Sequence, residues 1–285
     1  SPRSYNSQIG VPLSVWNLDE RSEVGLFEAG ISEPGEMEAL QSVIQPTIGV
    51  FTCLGDAHQE NFTSYEQKCL EKLKLFKDAK VLVYDMDDAR VVGCVNRSAF
   101  KGEYFAWSRQ RRDVPLYIAS VEKREAETVV SYIYKGKEAA CSIPFIDEAS
   151  LANSVSCLAV CLHLGMSPET IAARMAVLEP VAMRLEVKEG RSGCTLINDS
   201  YNSDYNSLDI ALDFQQSRRV EKNLKCTLIL SDILQSGTLP KSLYKKVADL
   251  VRRKKIDRII GIGRDLKEYG GAFDIEKEFY LTTDE

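Results

Sequence analysis

Histidine is scarce in this 285-residue chain: only His58 and His163 occur, far apart, and neither stands in a cysteine or carboxylate cluster with zinc-ligand spacing. That argues against a zinc centre of the usual kind. None of the eight cysteines forms a C-x-x-C pair, and most lie in apolar runs. Free thiols in a reducing cytoplasm are therefore expected rather than a disulfide framework. No apolar run reaches the ~18 residues of a membrane span, and no signal peptide is expected at the start. Basic residues are too few for a nucleic-acid footprint, with 36 Lys+Arg against 42 Asp+Glu, a net charge of −6 and a pI of about 5.3. Two motifs are also missing: the G-x-x-x-x-G-K-[ST] phosphate loop and the G-x-S-x-G nucleophile elbow.

What is present is a length and a hydrophobic content of 44% that suit two α/β domains with buried cores. The first part alternates: an apolar run at 24–30, a helical spacing at 35–45, a β-rich run at 47–55, a helix at 64–79 with Ser64 as its N-cap, and a buried strand at 80–87. This order predicts a parallel sheet with crossover helices. Residues 103–146 read as antiparallel strands with polar turns. Helices are expected at 148–165, ending on Gly165, and at 167–178. After a boundary near 181–189, strands and helices alternate again, and "GIGRDLKEYGG" (261–271) reads as a turn. "SYNS" at 4–7 recurs at 200–203 and is echoed by "DYNS" at 204–207, too little for a repeat architecture. The helix following the second copy is expected to be capped by Asn206 or Ser207.

Ligands of open α/β sheets bind beyond the carboxyl ends of the strands. Glu28, Asp56, His58, Asp85, Asp87, Asp199 and Asp232 all follow strand-like runs, where carboxylates suit metal or hydroxyl binding. Polar loops supply such residues in any case. On a helical projection of 65–76, Lys72 falls beside the apolar face made by Tyr65, Cys69, Leu73 and Phe76, whereas Lys74 points the other way. A lysine there either snorkels to solvent or is held at a site. His58 is a site residue or an exposed loop histidine, and His163 reads as structural. Arg184, at the domain junction, suits a ligand contact and an interdomain ion pair equally well.

The ordered set "SYNSQIGVPLSVW" (4–16), "LFEAGISEPGEM" (26–37), "GDAHQENF" (55–62), "LANSVSCLAVCLHLG" (151–165), "MRLEV" (183–187) and "NDSYNSDYNS" (198–207) resembles the Mur ligases of peptidoglycan synthesis. The wording is most similar to the branch that joins D-alanyl-D-alanine to a UDP-N-acetylmuramoyl-tripeptide, and to a subgroup fused to a downstream alanine racemase. The resemblance implies a parallel-sheet ATP-binding central domain (1–182) and a partial Rossmann-like C-terminal domain (183–285). The chain would then be a fragment, inactive by itself, without the family's N-terminal domain and Gly-Lys-Thr loop.

The resemblance also implies ATP and Mg2+ as cofactors and an acyl-phosphate intermediate. It casts Glu28, His58 and Lys72, the last as a carbamate, as metal-binding and catalytic residues. Asn153, Arg184, Asp199 and Asn202 would bind the nucleotide, with Arg184 near the phosphates and Asp199 on the ribose. Ser4, Asn6 and Ser7 would face the peptide substrate. The chain departs from the family pattern at Ser150, Ser7 and Ser203-Asp204-Tyr205, where the family often has asparagine, asparagine and Ala-Asn-Pro. The rival readings are another Mur or folylpolyglutamate-type ligase, against which the "IGVPLSVW" and "DSYN" wording argues, and a non-catalytic binding fragment.

Overall fold

The computed structural model describes residues 5–55, 58–179, 184–201, 203–222, 224–234, 236 and 238–284. They fall into two compact units, Ser1–Leu54 with Asn61–Glu179, and Gly55–Glu60 with Pro180–Glu285.

In the first unit, α1 (Gly10–Val15), α2 (Glu36–Ile44), β1 (Ile48–Phe51), α3 (Tyr65–Leu73), β2 (Val81–Asp85), α4 (Ala89–Val95) and β3 (Glu103–Ser108) lead into β4 (Leu116–Lys123), β5 (Thr128–Tyr134) and β6 (Lys137–Ile143). The helices α5 (Glu148–His163) and α6 (Pro168–Met175) follow. The strands form one sheet in the order β1-β2-β3-β4-β5-β6. Period-two alternation divides β2 between two cores. Leu82 and Tyr84 join Met37, Leu40, Cys69, Leu73 and Val91 on one face, while Val81 and Val83 join Phe105, Leu151, Val155 and Leu158 on the other. Apolar residues on both faces are what a buried parallel strand requires.

Three expectations change here. Strand β3 is not antiparallel: it pairs parallel with β2 and, over Trp107 and Ser108 only, parallel with β4. Because β4 starts where β3 ends, the short connection needs no crossover. Only β4, β5 and β6 form an antiparallel meander. Helix α4 has no counterpart in the sequence reading. It supplies the crossover between β2 and β3, and Asp88 caps it by accepting the amides of Arg90 and Val91. Residues 24–30, read as a strand-like run, are irregular. Ser64 caps α3 as expected, accepting the Gln67 amide. Gly165, at φ +81°, follows α5 in the left-handed conformation suited to glycine beyond a helix end.

In the second unit the two successive strands expected before the first helix form an antiparallel ribbon, β7 (Glu186–Glu189) with β8 (Thr195–Asn198). Then come α7 (Tyr205–Lys222), β9 (Thr227–Ser231), α8 (Pro240–Arg253), β10 (Arg258–Ile262), α9 (Arg264–Tyr269) and β11 (Glu276–Tyr280). The last three strands form a parallel sheet in the order β11-β10-β9. Its core gathers Leu208, Leu212, Tyr244, Val247, Ile259 and Phe273. Helix α9 replaces the expected turn at 264–269. Helix α7 is capped by neither Asn206 nor Ser207: Asp204 Oδ1 accepts both of their amides, at 2.9 and 3.0 Å, and the Ser207 hydroxyl accepts the Asp204 amide in return.

Candidate functional site

Lys72 lies on α3 with its Nζ 3.4 Å from the carbonyl oxygen of Cys53, just past the carboxyl end of β1, and 5.8 Å from the centre of the Phe51 ring. It is half-buried. Burial lowers its pKa below the usual lysine range, opposed by the neighbouring thiols of Cys53 and Cys69. Of the projected apolar face, Cys69, Leu73 and Phe76 are buried, while Tyr65 is exposed. Lys74 reaches solvent but pairs with Glu71 at 2.7 Å. The projection overlooked Lys68, which is only 1% exposed with its Nζ 5.9 Å from the Phe62 ring. A helical wheel sees one helix, and Phe62 lies outside it.

Glu28 sits in the irregular stretch between α1 and α2. Asn6 clasps it there: the Asn6 side-chain amide donates to Glu28 Oε1 at 2.8 Å, and the Gly30 amide donates to the Asn6 carbonyl at 2.8 Å. The approach is close, since a Cβ on Gly30 would lie 3.1 Å from the Asn6 amide carbon. The Ser7 hydroxyl accepts the Gly10 amide at the start of α1. Asn153 is exposed on α5, whose first turn is capped by Asp147 through the Ser150 amide. His58 adopts φ +59° in the Gly55–Glu60 segment, which groups with the second unit. Ser4, Asn202 and Asp56 lie outside the described residues.

Of the other strand-end carboxylates, three are tied into the fold, Asp85 by accepting the Asp87 amide at 2.8 Å. Asp87 accepts the Ser108 hydroxyl and, at 2.7 Å, the Arg109 amide. Asp232 accepts the amides of Asp265 and Leu266 and the Tyr244 hydroxyl. Asp85 lines a cavity of about 400 Å³ together with Trp107, Arg109, Glu148, Leu151 and Val155. Burial, aided by the charges of Asp87 and Asp88, pushes its carboxyl up to about 6. The raised value means that Asp85 favours the folded state when protonated. Its contribution is complete below the unfolded pKa of about 4 and is lost as pH rises through about 6. Asp85→Asn is therefore expected to gain in melting temperature relative to the unsubstituted protein between pH 4 and 6.5, with a constant difference above pH 7. A difference that is flat throughout would contradict this.

In the second unit, Asp199 follows β8 and its Oδ1 accepts the Leu185 amide at 3.1 Å, across the mouth of the ribbon. Leu185 has φ +49°, uncommon for a residue with a branched side chain. The preceding Arg184 lays its guanidinium 4.5 Å from the centre of the Tyr201 ring. Tyr201 was not among the sequence candidates; its place two residues after Asp199 was the available signal. Tyr205 has a structural part: its hydroxyl accepts from Arg253 at 3.3 Å.

Among the described residues no group of three or more His, Cys, Asp or Glu side chains converges as a cation cage. All eight cysteines are free, as expected. Among the described residues no helix is long and apolar enough to cross a membrane.

The six-stranded sheet, with a core on each face, defines an α/β protein. The model of the Mur ligase middle domain matches residues 1–161, and the chain belongs to the Mur ligase family. It is similar to the UDP-N-acetylmuramoyl-tripeptide–D-alanyl-D-alanine ligase of Bacillus subtilis, at 28% identity over 92% of this chain and 56% of that protein. The enzyme of the same name from Borreliella burgdorferi is 25% identical over 92% of this chain and 55% of its own length. The chain thus spans a little over half the length of these relatives. Its fold is similar to that of MurF from Acinetobacter baumannii, with a TM-score of 0.81 at 18% identity over 98% of this chain and 60% of that one. It is also similar to MurF ligase from Thermotoga maritima in complex with ADP, with a TM-score of 0.76 at 18% identity over 97% and 62%.

Proposed function

We propose that the chain is the central part, with a portion of the C-terminal part, of an ATP-dependent amide ligase that adds D-alanyl-D-alanine to UDP-N-acetylmuramoyl-tripeptide. In this reading residues 1–182 form the ATP-binding domain and 183–285 part of a Rossmann-like domain. The family match and the names of the relatives support the reaction class. The observation that carries the site is Lys72, whose amine is half-buried beyond β1 with a lowered pKa. A neutral amine adds to CO2, forming an N–C bond and releasing a proton, and the resulting carbamate is an oxygen-donor anion. Glu28, fixed by Asn6, and His58 are the other residues proposed to hold Mg2+. A bound Mg2+ would neutralise charge on the transferring phosphoryl group.

A carboxylate is a poor acyl donor until one oxygen becomes a good leaving group. Its attack on the γ-phosphorus of ATP expels ADP and leaves an acyl phosphate. The D-alanyl-D-alanine amine then attacks the carbonyl carbon, phosphate departs, and the amine proton is released. The task left to the protein is positioning and charge neutralisation. Asn153, Arg184, Asp199 and Asn202 are the proposed nucleotide contacts, and Ser4, Asn6 and Ser7 the proposed substrate-side residues, with Asn6 acting through Glu28. The substrates and the free thiols support a cytoplasmic setting. A fused alanine racemase rests on the wording at 4–16 alone.

The test is phosphate release by the full-length protein with UDP-N-acetylmuramoyl-tripeptide, ATP and a panel of amines. Release dependent on D-alanyl-D-alanine is expected. Release with a single amino acid or with glutamate in its place would move the chain to another branch of the family, and no release with any amine would leave a binding module.

A further inference from the structure

We infer that Tyr201 is a positioning residue for Arg184, holding the guanidinium by its flat face so that the N–H edge is presented to a phosphate of the bound nucleotide. The inference rests on the proposed role of Arg184. The distance from guanidinium to ring centre is 4.5 Å, and both residues are exposed, so solvent and ligand can reach the pair. A guanidinium has two kinds of surface: a π face that stacks on aromatic rings, and an edge of five N–H donors that matches phosphate in bidentate geometry. A carboxylate partner would occupy the edge, whereas an aromatic partner leaves it free.

The backbone sets this arrangement. Arg184 immediately precedes Leu185, and Tyr201 comes two residues after Asp199. The bond from the Leu185 amide to Asp199 Oδ1, at 3.1 Å, therefore fixes the separation between the bend that carries the cation and the loop that carries the ring. Leu185 holds φ +49°, which gives the chain a bend directly after Arg184. A single carboxylate thus anchors both halves of the pair.

A double-mutant cycle in the full-length protein tests this, read as Kd for ATP and, separately, for adenosine. Tyr201→Phe keeps the ring and is expected to bind ATP like the unsubstituted protein. Tyr201→Leu removes the π face and is expected to weaken ATP binding about two- to fivefold, with adenosine binding unchanged. In an Arg184→Ala background the same Tyr201→Leu change is expected to add nothing. Equal weakening of adenosine and ATP, an additive effect in the Arg184→Ala background, or a Tyr201→Leu variant that binds ATP normally while Arg184→Ala does not, would overturn the positioning role alone. If Arg184→Ala itself leaves the Kd for ATP unchanged, the proposed role of Arg184 fails and the positioning role falls with it.

Discussion

Replacing Lys72 by alanine is expected to lower ligase turnover by about 10²–10³-fold, the usual cost of removing one preorganised charge from a reacting centre. Lys72 contributes little to packing that alanine would not, since the neighbouring Cys69 and Leu73 already fill the core at 0% and 2% exposure. The loss should therefore appear in kcat, while the melting temperature should not fall, because burial already disfavours the charged lysine. The lowered pKa also gives the direction of rescue. If the working form is a carbamate, the variant lacks an anion, so acetate or another short carboxylate should restore part of the rate. A primary amine should not. Arginine at this position keeps a cation but cannot add CO2, and is expected to be as inactive as alanine. Full activity of Lys72→Ala, or rescue by amines in place of carboxylates, would remove the carbamate from the mechanism.

Asp199→Ala is expected to raise the Kd for ATP by about 10–100-fold, the range for a charge-assisted hydrogen bond lost together with the order it imposes. Two contributions are combined. The carboxylate is the proposed acceptor for the ribose hydroxyls, and it already holds the Leu185 amide in the structure. Nucleotides separate the two. The unsubstituted protein should prefer ATP to 2′,3′-dideoxy-ATP, and the alanine variant should lose that preference. Asp199→Asn keeps an acceptor for Leu185 and should fall between them. Undiminished preference for the ribose hydroxyls in Asp199→Ala would leave Asp199 as a ribbon clasp only.

The parts of the fold that were legible in the sequence are those where local and tertiary demands agree. The β2 run is apolar at every position of 81–84, and both of its faces are covered. Ser64 and Gly165 mark helix ends by backbone chemistry that does not depend on the rest of the chain. What escaped depends on neighbours. The composition of residues 24–30 suits a strand, but a strand exists only by bonding to another, and none pairs with them among the described residues. Strand β3 has no period-two alternation to read, and its direction is set by the crossover through α4, a helix of only seven residues.

The candidate site divides in the same way. Lys72 was visible because the period of one helix exposes an unusual position. Lys68 was not, because its ring partner Phe62 lies outside that helix. The pairing of Asn6 with Glu28 spans 22 residues and that of Arg184 with Tyr201 spans 17, separations that no local pattern encodes. The strand-end rule pointed to seven residues, yet Asp85, Asp87, Asp199 and Asp232 each accept at least one backbone amide. The rule locates the edge of a sheet where ligands bind, but not which of its carboxylates the fold has already used.

The central claim is activation of a carboxylate as an acyl phosphate followed by amide formation. It is tested most directly by labelling the terminal carboxylate of UDP-N-acetylmuramoyl-tripeptide with 18O and supplying ATP and D-alanyl-D-alanine to the full-length protein. One labelled oxygen should leave with each inorganic phosphate, in step with amide formed. Phosphate released without the label, or amide formed with both labelled oxygens retained outside phosphate, would contradict it.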